Sequence, residues 1–192
     1  KYLFDRNMKS YYNIPFVFGE VPNKLVPFDF DAFRAYQGEV EAVVTNIRTG
    51  RAEYLPVDRY DTNFKTVVAS CALPVLFQPV RIGKRYYLDG GVADSIPYRH
   101  ALEKGCDKLI VILTRERNYI KTTERSIKMA AKLYKHYPNL VKSLENRAAS
   151  YNQCMKELYQ AEKEGKVFII APKSTLGVGR TESSPKKLLE LY

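Results

Sequence analysis

Long apolar runs are missing from this 192-residue chain. Nothing approaches the roughly 18 consecutive apolar residues that a membrane span needs, and the N-terminus has no signal-peptide pattern. Cysteine is scarce and odd in number, with Cys71, Cys106 and Cys154 far apart. That excludes a dense disulfide framework and points to a reducing, cytoplasmic setting in which each thiol is buried and inert. His100 and His136 are the only histidines, and no Cys/His spacing suits a metal, so neither metal nor cofactor is expected. Repeats and low-complexity tracts are lacking too. The first residue is Lys1 rather than Met, which makes the chain an expected part, or trimmed product, of something longer. What is present is 45% hydrophobic and 12% aromatic, ordinary for a folded protein with one good-sized core.

Positive charge is in excess at +10, and it is unevenly placed. Between Arg115 and Lys142 eight cations face only Glu116 and Glu124. Such a patch suits anionic lipid, nucleic acid or an acidic substrate; it also suits a solvated helix face that does nothing but keep the protein soluble.

The pattern along the chain is mixed. Residues 1–36 are aromatic-rich and broken by Pro15, Pro22 and Pro27, which predicts short helices and loops over a core. Strands are expected at Val40–Thr45 and Ala52–Val57 as a hairpin, and at Val80–Ile82 and Arg85–Leu88 around the two-residue turn Gly83-Lys84. Asp61 or Thr62 can cap a helix ending near Ser70 before Pro74. Pro97 suits the first turn of a helix that stops at Gly105, with Asp94 and Ser95 as its cap. Leu109–Leu113 and Val167–Ile170 are apolar without alternation, as strands buried on both faces would be. Strand, helix, strand in that order is α/β. Two longer helices follow. One is capped by Thr122 or Thr123, has Ile127, Ala130, Ala131, Tyr134 and Tyr137 along one side, and is closed by Pro138. The other runs from Asn139 to Glu164 with Leu140, Leu144, Tyr151, Met155 and Leu158 at helical spacing. A last helix opens at Pro185.

One segment stands out. Tyr86-Tyr87-Leu88-Asp89-Gly90-Gly91 drives a half-apolar strand into an acid followed by two glycines. This sets a carboxylate at a strand tip and clears side chains from the backbone behind it. Taken alone, Asp-Gly-Gly is more often a tight turn.

Upstream of it stands Ala69-Ser70-Cys71-Ala72-Leu73-Pro74-Val75-Leu76-Phe77-Gln78-Pro79-Val80. That block, the short hairpin and Asp89-Gly90-Gly91 together resemble the patatin-like phospholipase family, in its bacterial branch. The likeness is strong from about Thr66 to Thr114 and weaker through the Val167–Pro172 strand and Gly179-Arg180. It implies a three-layer α/β fold with a mainly parallel central sheet flanked by helices, plus a helical region at about 123–165. It also implies a lipid acyl hydrolase that cleaves carboxylic esters with a Ser–Asp dyad, no histidine and no cofactor. Asp89 would be its base and Gly90 and Gly91 the cleared backbone behind it. A serine hydroxyl needs such a base within about 2.6–3.2 Å, its basicity raised by partial burial, and an oxyanion hole to hold the developing charge.

The family's Gly-x-Ser-x-Gly elbow and glycine-rich oxyanion loop are not in the chain: none of its serines, from Ser10 to Ser184, has that flanking pattern. The whole of 1–192 is therefore expected to be the C-terminal part of a single patatin-like domain, inert by itself, with the serine in an absent upstream segment. Oligomerisation, or association with that N-terminal segment, would cover the sheet edges left unpaired. Ser70 is expected at a helix end, and His100 as a partly buried histidine rather than a third catalytic member. The partners implied are a lipid or ester substrate and an anionic membrane touched peripherally through Lys128, Lys132 and Lys135, with no nucleic acid. A basic nucleic-acid- or membrane-binding module and a catalytically dead patatin-like scaffold are the rival readings.

Overall fold

The computed structural model describes residues 13–123, 127–179 and 182–191. The expected cap at Thr122 or Thr123 adjoins residues 124–126, and Arg180 and the first twelve residues also lie outside the described set. The chain divides into two compact units, one of residues 1–96 and 123–150, the other of 97–122 and 151–192.

The first unit opens with a wide helical stretch, Pro15–Leu25, and a short helix α1, Phe30–Ala35. Phe28 and Phe30 pack on each other and on Phe64, and Phe28 also meets Phe33, with ring centroids 5.1–5.7 Å apart. Next come β1 (Glu41–Asn46), β2 (Ala52–Pro56), α2 (Lys65–Ser70), β3 (Val80–Ile82) and β4 (Arg85–Asp89). They form a four-stranded sheet in the order β2-β1-β4-β3 with every pair antiparallel. Both expected hairpins are present, because each turn has the required chemistry: Gly50 and Gly83 sit at φ +66° and +58°, where a side chain would be strained. Asp61 does the work expected of a cap, accepting the backbone N–H of Lys65 at 2.7 Å.

Strand alternation sends Tyr87 and Leu88 to opposite faces of β4, and both are buried. Tyr87 packs with Val44 and Ala69, while Leu88 packs with Ile47, Ala72, Phe77 and Val92. Helices α4 (Ile127–Leu133) and α5 (Pro138–Lys163) add Ala130, Tyr134, Leu140 and Leu144 to the same core. Pro138 opens α5 instead of closing α4, since proline suits a first helical turn where no N–H partner is needed.

The second unit holds α3 (Tyr98–Glu103), β5 (Leu109–Ile112), the C-terminal half of α5, β6 (Val167–Ile170) and α6 (Pro185–Leu191). Here Met155 and Leu158 of α5 are buried as the spacing predicts, and Tyr98 is tied to Glu157 by its hydroxyl at 2.8 Å. The parallel pairing expected of the central sheet is confined to β5 and β6. Burial on both faces is not found there: Val167 and Ile169 are buried, but Ile110, Ile112, Phe168 and Ile170 are 46–73% exposed. The class is mixed α/β, with one antiparallel sheet and one small parallel pair.

Candidate functional site

Asp89 is the last residue of β4, opposite Val44 of β1, on an interior strand of the sheet. Two backbone tethers from different elements hold it. Its N–H donates to the Ala72 carbonyl at 2.9 Å, and its carbonyl accepts the Thr45 hydroxyl at 2.8 Å. The half-buried carboxylate is turned back by a third bond, the Gly91 N–H donating to Asp89 Oδ1 at 2.7 Å. A one-turn helix, Gly90–Val92, carries the chain away.

The two glycines do different things. A Cβ on Gly90 would stand 2.2 Å from the Val43 carbonyl oxygen, so this residue is pressed onto β1 and only glycine fits. A Cβ on Gly91 would lie 3.0 Å from Asp89 Oδ1 and 3.4 Å from Arg147 Nη2. Carboxylate and guanidinium thus border the same small space above Gly91. Arg147 reaches it from α5, and its Nε donates to the Gly91 carbonyl at 2.7 Å.

Ala72 links the acid to the upstream block. Within that block Val75 lies at φ +73°, a strained place for a β-branched residue. Its N–H donates to the hydroxyl of Tyr134 at 3.3 Å, and Tyr134 is buried in the core. Burial pushes the Tyr134 phenol up, so it remains a neutral hydroxyl.

The expectation that every cysteine is buried fails for two of three: Cys154 is buried, whereas Cys71 and Cys106 are exposed. Although Cys71 is exposed as a residue, its thiol is raised above the ordinary range, by desolvation first and by the charge of Asp89 second. A thiol held protonated is a poor nucleophile.

Asp94 and Ser95 do not cap α3, whose first turn follows Pro97 with no side-chain cap. Instead Asp94 closes a turn one step earlier, accepting the Ile96 N–H at 3.3 Å and the Tyr54 hydroxyl at 2.7 Å. The Ser95 hydroxyl donates to the Gly91 carbonyl at 2.8 Å. Proline at that position already fixes the helical φ, which leaves the upstream side chains available to brace the turn after Asp89. Ser70 is the half-buried last residue of α2, and His100 is half-buried on α3.

Beside the site, Glu53 joins β2 to β4. Burial alone would raise its carboxyl, but hydrogen bonds from Tyr87, Asn46 and Arg85 outweigh this and hold it below the usual range. Thr45 and Arg147 were not anticipated. Thr45 pairs with Leu88, one place along from the Val44–Asp89 pair, and its role lies in a hydroxyl bond to the Asp89 main-chain carbonyl that strand alternation does not announce. Nothing local distinguishes Arg147 from the other charged residues of α5. Among the described residues, no group of three or more His, Cys, Asp or Glu side chains could hold a metal ion.

No curated protein matches the chain. Residues 137–192 match a domain of unknown function, DUF6363, so Arg147 belongs to that stretch. The model for patatin-like phospholipase matches residues 7–102 and contains the whole of the upstream block, both hairpins and the acid–glycine turn. That match covers half of the chain, and the protein belongs to the patatin-like phospholipase family.

Proposed function

We propose that this protein supplies the base of a lipid acyl hydrolase, with Asp89 taking the proton from a serine that another stretch of polypeptide provides. That stretch is upstream in the same gene product or on an associated chain. In the first step the serine oxygen bonds to the ester carbonyl carbon while its proton passes to Asp89. Collapse of the tetrahedral intermediate breaks the ester C–O bond, and the proton moves from Asp89 to the departing alcohol. Water then repeats the sequence on the acyl-serine, releasing the fatty acid.

The observation that carries this reading is one strand-end carboxylate held by the Gly91 N–H, on a main chain that Ala72 and Thr45 tether. A general base must be aimed before the substrate arrives, since misplacement by about 1 Å can cost roughly a hundredfold in rate.

The substrate reaches such a site from a lipid phase. No helix among the described residues is long and apolar enough to cross a membrane. On α4, however, Lys128 and Lys132 are exposed, as is Lys135 just after it, and beside them Met129 and Leu133, one turn apart, are 56% and 58% exposed. A cationic stripe next to an apolar pair suits peripheral contact with an anionic leaflet.

The test is ester hydrolysis by the complete gene product with Asp89→Asn and Asp89→Ala alongside. Loss of about a hundredfold to ten-thousandfold in kcat, with an unchanged unfolding midpoint, is the expected result. Full rate in either variant rules out Asp89 as the base. An inactive wild-type protein across phospholipids, lysophospholipids and simple esters supports the non-catalytic scaffold instead.

A further inference from the structure

A cleft of about 340 Å³ opens in the first unit beside the turn that follows Asp89. That is the low end of the size of small-molecule sites. Its walls are the β1–β2 turn at Arg51, the residues Val92 and Ala93, and one face of α5 bearing Lys142, Asn146 and Ser150.

The walls are fastened to each other. The Ser143 hydroxyl donates to the Gly50 carbonyl at 2.7 Å, and the Asn139 side-chain amide donates to the Arg48 carbonyl at 3.1 Å. Gly50 is seated so closely on α5 that a Cβ would be 2.3 Å from the Asn139 carbonyl oxygen. The cleft is therefore a formed feature of the unit and not a gap between loose loops.

Its chemistry is one-sided. Arg51 and Lys142 both line it, no carboxylate does, and neither cation has an ion-pair partner among the described residues. The Asn146 amide and the Ser150 hydroxyl add polar groups to the same wall. A guanidinium fork, an ammonium, an amide and a hydroxyl around one small space are the set that recognises tetrahedral oxyanions.

We infer that this cleft binds a phosphate group, either free or as a soluble phosphomonoester, or as the head of a phospholipid. The site is separate from the proton-transfer chemistry at Asp89 and does not depend on it. It shares a wall with the acid turn, because Val92 and Ala93 follow Gly91 directly, and Arg147, one residue after Asn146, holds the Gly91 carbonyl.

The experiment is calorimetric titration of the complete protein with inorganic phosphate against sodium chloride at matched ionic strength. A parallel arm measures binding to phosphatidylcholine vesicles doped with phosphatidic acid or, at equal charge, phosphatidylglycerol. Saturable phosphate binding is expected, weakened about tenfold by Arg51→Gln and by Lys142→Gln and unchanged by Lys128→Gln, which lies outside the cleft. Asn146→Asp, which puts a negative charge in the wall, should weaken it as well. Asp89→Asn should bind phosphate as the wild type does, which keeps this outcome distinct from the fate of the hydrolase reading. A preference for phosphatidic acid that disappears in the Arg51→Gln/Lys142→Gln pair assigns the site to a lipid head; binding of phosphate without that preference assigns it to a soluble ligand. Either result supports the site. No saturable binding in either arm, or binding indifferent to all three cleft substitutions, overturns it.

Discussion

Gly90 and Gly91 are neighbours with the same formula, yet the space around them differs. At Gly90 the obstructing atom is a backbone oxygen of β1, a strand paired on both sides, so it has nowhere to move. Gly90→Ala is expected to cost about 3 kcal/mol or more, by overpacking against immobile backbone. At Gly91 the nearest atoms are the ends of two side chains, Asp89 and Arg147, which can give way. Gly91→Ala is expected to cost about 1 kcal/mol or less while displacing the carboxylate enough to lower the hydrolysis rate roughly tenfold or more. Urea unfolding of both variants, with ester hydrolysis of the second, checks the pair; a Gly90→Ala protein as stable as wild type contradicts the packing account. At this scale the sequence was informative wherever a residue's task is set by its immediate neighbours. The strand-end place of Asp89, after an apolar strand and before two glycines, could be read directly. Arg147 could not, because its role arises only when α5 is brought beside Gly91 from more than fifty residues away.

Among the elements, the hairpins were the most readable, since a two-residue turn and alternating strands fix pairing and register together. The misreading of β5 and β6 has a physical source. An unbroken apolar run states that both faces avoid water, but not what lies against each. Here only one face is covered among the described residues. Helix contacts offer a sharper test. Glu157 of α5 accepts hydrogen bonds from Gln153, from Arg99 and from the Tyr98 hydroxyl, and in that order these pull its carboxyl down from 4.5 to about 2. The folded protein therefore binds the Glu157 proton less readily than the unfolded chain. The stabilisation this gives is complete above the unfolded value near 4.5 and is lost as pH falls toward 2. Glu157→Gln should flatten the fall in unfolding midpoint across that window and leave the same buffers near neutrality less affected. An acid limb identical to wild type would mean that the α3–α5 tie is screened away by solvent.

For the molecule as a whole, charge is the property most visible from sequence and least tied to one fold. The cation-rich stretch from Arg115 to Lys142 divides in the structure between an α4 stripe, a cleft residue, and Arg117, which is paired with Glu162. Replacing Lys128, Lys132 and Lys135 by Gln should weaken binding to anionic vesicles by about 3 kcal/mol, roughly a hundredfold, and the wild-type affinity should fall as salt is added. Vesicle flotation showing equal retention of both proteins would remove α4 from the membrane contact. Arg147 has a separate consequence. The guanidinium that braces the acid turn comes from the stretch that matches DUF6363, so a side-chain contact crosses from one matched stretch to the other. A chimera cut between the two and given a foreign C-terminal portion would retain Asp89 and both glycines yet lose their brace. The acid turn and its brace together require the β1–β4 sheet and the first three turns of α5.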